Sequence, residues 1–562
     1  MTFFEKAGVD PVTFEILRHR LFAINDEAAA TLRLVSGSPV ANEAYDFNTG
    51  VMDAAGGVFV LGIYIGIHSI SLEHVVKYIL AEYGDNPGIN PGDMFLCNDP
   101  YYGAMHQSDV VCVSPVFCGK ELVAWTGAAI HQVDVGGSVR GSQCSLGAES
   151  IFQEATPIPP IKLVEKGVVR KDLKQAYLRH SRMPQVVELD LRAKIAANNT
   201  ARRRIEELVN EYGVETVRKV IAAISDYTEL MFRERLKDLP DGSWKHHYYM
   251  EYQDKVYPCH MTLTKKGEKL VFDFTGTAKQ APAVINCTLP GARGGILVAL
   301  LQYLCYDIPW SPAGIERTIE VIAEPGTLVN ATWPAGMGKS TTGGIQAAIQ
   351  LSAICLAKML AASEKYEDRL MAGWIGGFGT QELFGADQRG DPFGAVFLES
   401  MVGGSGASSI ADGVDTGGML HSIACCKANV ETYEFRYPVL YLYSRQQTDS
   451  GGAGKFRGGM GFSAMYMSYG VKEIPWCLML RFSPESAEAT GVVGGYPGGS
   501  SVFAFKRKSN IRKLFEKGSM PGSLDDIEGK LELPPAAHIS KLGRDDVWIR
   551  QNDGGGGYGD PL

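Results

Sequence analysis

Several features that would place the chain in a membrane or outside the cell are missing from the sequence. The most apolar stretches, residues 57–70 and 296–308, are short or interrupted by polar residues, and neither approaches the ~20 residues that a membrane span needs. The first residues, Met-Thr-Phe-Phe-Glu, lack the basic region, apolar run and cleavage site of a signal peptide. We therefore expect a cytoplasmic protein with no membrane partner.

Blocks of like charge and paired cysteine motifs are also missing. The formal net charge of −9 is modest and spread along the chain, so a nucleic-acid partner is not expected. The eleven cysteines are scattered, odd in number and include no Cys-x-x-Cys pair, which favours reduced thiols over disulfides. The remaining composition, 45% hydrophobic and 21% charged, is that of an ordinary globular protein.

Glycine, by contrast, is abundant, with 65 residues in 562. Its clusters at 403–406, 451–461 and 554–557 do not follow the Gly-x-Gly-x-x-Gly pattern between a strand and a helix, so we interpret them as tight turns and close packing. The segment Gly336-Met337-Gly338-Lys339-Ser340-Thr341 resembles a phosphate-binding loop, but Trp333 occupies the position of the required first glycine. We therefore predict that this chain does not bind ATP.

The order of helices and strands predicts an α+β protein with a Gly-rich, strand-rich C-terminal half. Amphipathic spacing or continuous apolar runs predict helices over residues 11–34, 186–212, 214–236, 291–305 and 344–362. The last two are apolar enough to be buried. The predicted segments are an N-terminal α+β domain over 1–237, a central mixed α/β domain over 244–480 and a C-terminal β-rich, Gly-rich segment over 481–562.

One predicted hairpin in the N-terminal segment carries three side chains of the kinds that bind metals. His106 and Asp109 precede its first strand, and His131 ends its second strand. A turn centred at Gly119 would place His131 opposite Gln107, where facing residues lie about 5 Å apart. Two imidazoles and a carboxylate at one end of a hairpin suit a metal site with an open position, and ordinary polar residues at a loop edge are the alternative.

Two further residues are candidates for the same site. Asp46 lies in an otherwise apolar predicted strand, where a carboxylate is costly unless it is paired or coordinates a metal, so Asp46 is a candidate fourth ligand. His68 follows a predicted strand and precedes a predicted helix. It is equally consistent with a hydrogen-bonded structural histidine and with a residue of the site pocket.

Short motifs in a fixed order run through nearly the whole chain. They are Asp10-Pro11-Val12-Thr13-Phe14-Glu15, Tyr45-Asp46-Phe47, His68, Asn98-Asp99-Pro100-Tyr101, His106-x-x-Asp109, His131-x-x-Asp134-x-Gly136-Gly137, Asp190-Leu191-Arg192-Ala193, Ile285-Asn286-Cys287, and glycine blocks at 449–454, 457–459 and 554–561. With these motifs the chain resembles the B-type subunits of the hydantoinase/oxoprolinase family, which includes metal-binding subunits of acetone and acetophenone carboxylases. The resemblance identifies a family and leaves the substrate open.

The resemblance implies a metal and a partner. In the carboxylases of this family a His-x-x-Asp and a later His hold one divalent metal, and the matching residues here are His106, Asp109 and His131. Hydantoinase-type members can add a carboxylate at the position of Asp46, whereas acetone carboxylases lack it. Zn or Mn is expected, with Fe as an alternative. An A-type subunit of the actin/hexokinase-like ATPase class uses ATP-Mg, and a hetero-oligomer such as (αβ)2 is expected.

The leading hypothesis from this resemblance is the metal-binding subunit of an ATP-dependent hydrolase that opens a hydantoin, oxoproline or lactam ring. Water activated at the metal attacks a phosphorylated intermediate made by the partner, with Asp134 as orienting carboxylate or general base and His68 as proton carrier. One alternative is a ketone carboxylase subunit that joins an enol phosphate with CO2 or bicarbonate. The single histidine of His131-Gln132, where many hydantoinase-type members have two, resembles the carboxylases. Another alternative is a non-catalytic scaffold whose metal ties the hairpin.

Overall fold

A computed structural model describes residues 2–141, 147–375, 379–422, 424, 426–481 and 489–562. The contacts within the chain divide it into two compact units. Unit 1 consists of Met1–His246 and His260–Met359, and unit 2 consists of His247–Cys259 and Leu360–Leu562. The three segments expected from the sequence, 1–237, 244–480 and 481–562, stay a prediction.

A seven-stranded antiparallel sheet forms the centre of unit 1. Its strands are β1 (Phe47–Asp53), β2 (Val58–Leu61), β3 (Met94–Cys97), β4 (Asp109–Cys118), β5 (Glu121–His131), β6 (Ile161–Glu165) and β7 (Val168–Val169). Their spatial order is β2-β1-β5-β4-β3-β6-β7. Nearly every position of β1, β4 and β5 is buried, as expected for a sheet that is covered on both faces.

Helices cover both faces of this sheet. The helices of this part of the chain are α1 (Phe3–Ala7), α2 (Pro11–Val35), α3 (Pro39–Asn42), α4 (His68–Glu82), α5 (Lys171–His180), α6 (Pro184–Tyr212) and α7 (Val214–Lys237). One apolar core joins α2, α6 and α7 to β1, β4 and β5, and a second core joins α4 to the opposite face of the same strands. The predicted start of α2 is confirmed, because the Asp10 carboxylate accepts the Thr13 N–H at 2.8 Å and Pro11 occupies the first turn.

The β4–β5 hairpin has the strands that the sequence predicts, but the predicted register is wrong by two residues. His131 faces Asp109 rather than Gln107. One residue of this shift arises because the turn is centred between Gly119 and Lys120 instead of on Gly119. The other arises from a bulge close to the turn, which displaces every pair beyond it.

A second, four-stranded sheet and three helices follow in the chain. The sheet contains β8 (Gly242–Tyr252), β9 (Lys255–Lys266), β10 (Lys269–Asp273) and β11 (Ile319–Ile322) in the order β11-β10-β9-β8, and the helices are α8 (Leu289–Leu300), α9 (Pro312–Glu316) and α10 (Gly344–Ala361). Within the described part of the chain, one helix, α10, is long and apolar enough to cross a membrane, and 89% of it is buried inside the protein. The expected burial of α8 and α10 is confirmed.

Unit 2 is built mainly of strands. Its elements are β12 (Gly379–Ala386), β13 (Pro392–Phe397), α11 (Val430–Arg436), β14 (Val439–Gln446), β15 (Phe462–Ser468), β16 (Glu473–Arg481), β17 (Val502–Arg507), α12 (Ile511–Glu516), β18 (Lys530–Glu532), β19 (Ala537–Gly543) and β20 (Val547–Gln551). They form the sheets β13-β12-β16-β19 and β14-β15-β20-β17-β18. A methyl group at Gly404 would lie 1.9 Å from the Gly459 carbonyl oxygen, so these glycines permit backbones to pack directly on each other. The predicted α+β class is confirmed.

The cysteines follow the expectation of reduced thiols where the structure describes them. The described cysteines that form no disulfide are Cys97, Cys112, Cys118, Cys259, Cys287, Cys305, Cys355, Cys426 and Cys477. The remaining two cysteines, Cys144 and Cys425, lie outside the described residues. The thiols of Cys97 and Cys112 are buried, and burial raises their pKa, so they are inert parts of the core rather than nucleophiles.

Asn198 on α6 ties this helix to both strands of the hairpin. Its amide nitrogen donates to the Cys112 carbonyl on β4 at 3.1 Å, and its amide oxygen accepts from the Thr126 hydroxyl on β5 at 2.7 Å. Asn198→Ala leaves two buried polar groups without partners, so we expect the free energy of unfolding to fall by about 2 kcal/mol. Denaturant unfolding of the full chain measures this loss. Asn199→Ala, at the exposed neighbouring position, is the control and should change it by less than about 0.5 kcal/mol, and equal losses would contradict the anchoring role.

Candidate metal centre

Three buried side chains converge at one end of the β4–β5 hairpin. The Nε2 atom of His106 lies 3.0 Å from Oδ1 of Asp109 and 3.1 Å from Nδ1 of His131. The same Asp109 oxygen lies 3.0 Å from Nδ1 of His131. The exposed fractions of His106, Asp109 and His131 are 1%, 2% and 5%. One atom from each side chain therefore forms a corner of a nearly equilateral triangle in the protein interior, which we call the metal triangle.

The sheet explains how the metal triangle forms. Asp109 opens β4 and His131 closes β5, and the two residues are direct partners in the antiparallel ladder. Both side chains point to the face covered by α4, because Val111 and Ala129, two residues further along each strand, belong to the core on that face. His106 lies three residues before Asp109, in the turn that leads into β4.

A backbone carbonyl fixes the tautomer of His106. Its Nδ1 lies 3.0 Å from the Gly338 carbonyl oxygen, and because that oxygen can only accept a hydrogen bond, Nδ1 carries a proton. In the neutral imidazole, the Nε2 atom that faces Asp109 and His131 then has a free lone pair. Support of this kind on the far side of the ring is typical of metal-binding histidines.

The distances in the metal triangle suit a shared cation. Donor atoms about 2.1 Å from one metal lie about 3.0 Å from each other at the roughly 90° angles of an octahedral site and about 3.4 Å from each other at tetrahedral angles. The observed separations of 3.0–3.1 Å are closer to the first value. Without a positive charge between them, the lone pair of His106 and the carboxylate of Asp109 would repel each other. Two imidazoles and a carboxylate are ligands that suit Zn, Mn and Fe. The three residues therefore fit one divalent metal.

Asp109 is an ionised carboxylate despite its burial. Burial alone raises the pKa of this carboxyl, but the attraction to the imidazoles of His106 and His68 when these rings are protonated, together with the hydrogen bonds that His106 and His131 then donate, holds its pKa well below the usual value. A bound cation would act in the same direction as these protons. A carboxylate that keeps its charge away from water has a strong need for a positive partner. This electrostatic setting favours cation binding.

Asp46 lies at the edge of the metal triangle. Its Oδ2 is 4.0 Å from Nδ1 of His131, and its side chain is 18% exposed. Burial raises the pKa of Asp46 to about 6, opposed by His131 and reinforced by Asp109. The expectation that Asp46 lies inside a strand is wrong, because β1 begins one residue later, at Phe47. Its role as a metal ligand stays a prediction.

His68 is fully buried on the same side of the sheet as the metal triangle. It is the first residue of α4 rather than the end of a strand, since β2 already ends at Leu61. Burial lowers the pKa of His68, with Asp109 opposing the shift, so the ring is neutral at pH 7. Its Nδ1 contacts the Ser71 hydroxyl at 3.3 Å, and its Nε2 has no hydrogen-bond partner among the described residues.

Asp134 is occupied by contacts outside the metal triangle. Its buried carboxylate pairs with Nη1 of Arg182 at 2.9 Å and accepts the backbone N–H groups of Gly136, Gly141 and Arg182 at 3.2, 3.1 and 2.8 Å. None of these partners belongs to the metal triangle. The contacts support an anchoring role for the segment that follows β5, and the general-base role stays a prediction.

Sequence reasoning missed the roles of two residues that support the site. Glu154 is buried, and its carboxylate accepts the Gly338 N–H at 2.6 Å across 184 residues of sequence. Asn286 donates its side-chain amide to the Gly336 carbonyl at 3.0 Å across 50 residues. The only local sequence feature of this loop that we recognised is the glycine pattern at 336–341. That pattern is typical of phosphate-binding loops and does not predict a carbonyl that binds a histidine ring.

Comparisons with known proteins place the chain in a family. Residues 10–561 match the family model described as hydantoinase B/oxoprolinase. The chain is 29% identical to caprolactamase subunit beta of Pseudomonas jessenii, over 99% of this chain and 91% of that protein. It is 27% identical to acetophenone carboxylase delta subunit of Aromatoleum aromaticum, over 99% of this chain and 82% of that protein.

The fold agrees with these similarities. The crystal structure of the ATP-dependent caprolactamase from Pseudomonas jessenii matches with a TM-score of 0.84 and 26% identity, over 98% of this chain and 92% of that chain. These relatives are subunits of an amide hydrolase and of a carboxylase. Because the family model covers almost every residue, the chain belongs to the hydantoinase B/oxoprolinase family.

Proposed function

We propose that this chain is the metal-binding subunit of an ATP-dependent enzyme that hydrolyses a cyclic amide, such as a hydantoin, 5-oxoproline or a lactam. The observation that carries the proposal is the buried metal triangle of His106, Asp109 and His131. A divalent cation held there would lower the pKa of water toward ~7 and polarise a substrate oxygen. Zn or Mn suits these ligands, and Fe is the third choice.

The ATP chemistry is assigned to a second subunit. An A-type ATPase of the actin/hexokinase-like class would phosphorylate the amide oxygen and deliver the product to this chain in a cytoplasmic hetero-oligomer such as (αβ)2. In this chain, the backbone N–H groups of Met337 and Gly338 in the glycine-rich loop are already bound to the carboxylate of Glu154. Because these N–H groups are already hydrogen-bonded to Glu154, they are not available to a phosphate, and this supports assigning ATP binding to the partner subunit.

The residues around the site have separate tasks in this proposal. The three residues of the metal triangle hold the cation, and the Gly338 carbonyl keeps the Nε2 lone pair of His106 available. Asp46 approaches from the edge and adds a second carboxylate. His68 is neutral and buried, and its Nε2 has no partner in the described part of the chain, so it is placed to pass a proton.

Two observations favour hydrolysis over carboxylation. The match covers 91% of caprolactamase subunit beta at 29% identity, against 82% of acetophenone carboxylase delta subunit at 27% identity. Asp46 lies 4.0 Å from His131, and the family resemblance associates a carboxylate at this position with hydantoinase-type members rather than with the acetone carboxylases.

A ketone carboxylase subunit is the second candidate. Gln132 follows His131 at a position where many hydantoinase-type members have a second histidine, and in this the chain resembles the carboxylases. The Gln132 side chain is fully buried, and neither of its amide atoms has a hydrogen-bond partner among the described residues. A carboxylase would use the same three residues to join an enol phosphate with CO2 or bicarbonate.

Asp109→Asn removes the negative charge of the metal triangle with little change in side-chain volume. We expect the variant to lose the divalent metal, since the site then has one neutral amide in place of its carboxylate. The ATP-dependent turnover should fall by about 100-fold or more, because replacing a ligand should cost at least as much as removing a group that orients one. Metal analysis of the purified chain and ring-opening assays with the ATPase partner measure the two effects.

Asp53→Asn is the matched control for this experiment. Asp53 is a carboxylate at the far end of β1 that accepts the turn N–H groups of Ala55 and Gly57 at 2.9 Å. It should keep both metal and turnover. A non-catalytic scaffold predicts another result, in which Asp109→Asn lowers the metal content and Tm while the folded assembly keeps its turnover, and this result would refute the catalytic proposal.

The choice between hydrolase and carboxylase is tested on the chain co-purified with its ATPase partner. We expect ATP-dependent ring opening of caprolactam, 5-oxoproline or hydantoin that does not require bicarbonate, because water is the attacking group. Acetone and acetophenone with labelled bicarbonate are the control substrates and should give no labelled acid. Incorporation of the labelled carbon into product would sink the hydrolase proposal in favour of the carboxylase.

A further inference from the structure

Glu154 is a buried carboxylate one contact away from the metal triangle, with an exposed fraction of 6%. Its Oε1 accepts the backbone N–H of Gly338 at 2.6 Å, and its Oε2 accepts the N–H of Met337 at 3.0 Å. The same Oε2 accepts a hydrogen bond from the side-chain amide of Gln107 at 2.6 Å. Both oxygens are therefore engaged by donors from two distant segments of the chain.

The groups that bind Glu154 are attached to His106 in two ways, through the main chain and through a hydrogen bond to the ring. Gln107 follows His106 in the chain, and Gly338 supplies the carbonyl that accepts the Nδ1–H of His106 at 3.0 Å. The N–H and the carbonyl of Gly338 belong to adjacent planar peptide groups that share the Gly338 Cα, so a carboxylate that fixes the first group leaves the second only rotation about the Gly338 Cα–C bond. The carboxylate of Glu154 and the ring of His106 are thus connected through a single residue.

We propose that Glu154 is a positioning residue for the metal centre. It holds the peptide groups at Met337 and Gly338 in the orientation in which the Gly338 carbonyl keeps Nε2 of His106 aimed at the cation. The inference rests on the metal function proposed above. Groups that orient a metal-binding histidine from behind typically change metal affinity by about 10- to 100-fold when they are removed.

A purely structural role for Glu154 is the competing explanation. Asn286 holds the Gly336 carbonyl at 3.0 Å, and the Lys339 N–H donates to the Val284 carbonyl at 2.9 Å, so the loop is also fixed on either side of Met337. If these contacts alone kept Gly338 in place, the loss of the carboxylate would lower stability and leave metal binding intact. The two explanations therefore differ in a measurable quantity.

Glu154→Gln is the informative variant. It keeps the size of the side chain but replaces one acceptor oxygen with an NH2 group, which is a donor that faces other donors. The probe is Co2+ added to the metal-free full-length chain, and the readouts are its Kd and the visible absorption spectrum of the bound ion. We expect Kd to rise by about 10- to 100-fold and the spectrum to change.

Asp190→Asn is the matched control. Asp190 is a fully buried carboxylate of the same unit that accepts the backbone N–H groups of Gly37 and Ser38 at 3.2 Å and the Ser36 hydroxyl, so its donors match those of Glu154 in kind. Both substitutions should lower Tm, and only Glu154→Gln should weaken Co2+ binding. An unchanged Kd and spectrum in Glu154→Gln, or an equal change in Asp190→Asn, would overturn the inference.

A second variant and the wild-type chain provide two further tests of the inference. Should Glu154→Gln not fold, Gln107→Ala removes one donor to Glu154, and we expect a Kd increase of about 3- to 10-fold, the equivalent of one hydrogen bond. An unchanged Kd in that variant would overturn the inference. A wild-type chain that binds no Co2+ would refute the proposed metal function together with the inference, whereas tight wild-type binding with an unaffected Glu154→Gln would refute the inference alone.

Discussion

The structure of unit 1 depends on keeping three polar side chains close together in the protein interior, where their acceptor atoms face one another. The Nε2 atom of His106, which has a free lone pair when the ring is neutral, and the carboxylate of Asp109 lie 3.0 Å apart, with Nδ1 of His131 beside them. Away from water, the repulsion between such groups is not screened, and a proton or a metal cation between them is needed to balance it. The surrounding structure therefore has to hold the three side chains together in the absence of a cation.

Three elements from distant parts of the chain do this. The antiparallel ladder of β4 and β5 sets Asp109 opposite His131. Asn198 on α6 bonds to Cys112 and Thr126, inside the two strands, and so holds the hairpin on the helix layer. The loop that contains Gly338 approaches from a different part of unit 1 and fixes His106. Because these elements are buried and hydrogen-bonded to one another, they fix the positions of the three side chains.

The parts of this arrangement that depend on local sequence were predictable. The Asp10 cap and apolar spacing specify α2, and the two apolar runs around Gly119 specify the hairpin with His131 at its end. The strand partner of His131 was not predictable from the sequence. The bulge that shifts the register by one residue has no signal in the spacing of apolar residues. The position of His68 was also missed, since β2 ends six residues before the predicted strand does.

The residues that hold the candidate ligands in place could not be predicted from local sequence patterns. The contact of Glu154 with Gly338 spans 184 residues, and that of Asp134 with Arg182 spans 48. No periodicity or spacing rule connects such pairs, because they exist only once two separate segments have packed on the same sheet. The candidate ligands could be found because Asp109 and His131 lie at the paired strand ends of the hairpin and His106 lies three residues before Asp109, whereas the residues behind them could not.

The glycine-rich loop at 336–341 shows why a local resemblance can mislead about chemistry while it describes shape correctly. In phosphate-binding loops, successive backbone N–H groups surround an anion. In this chain the N–H groups of Met337 and Gly338 also surround an anion, but the anion is the carboxylate of Glu154. The carbonyl of Gly338 then points to His106. In the proposal made above, this phosphate-loop-like backbone orients the candidate ligand His106, which agrees with the proposal that ATP is consumed on another subunit.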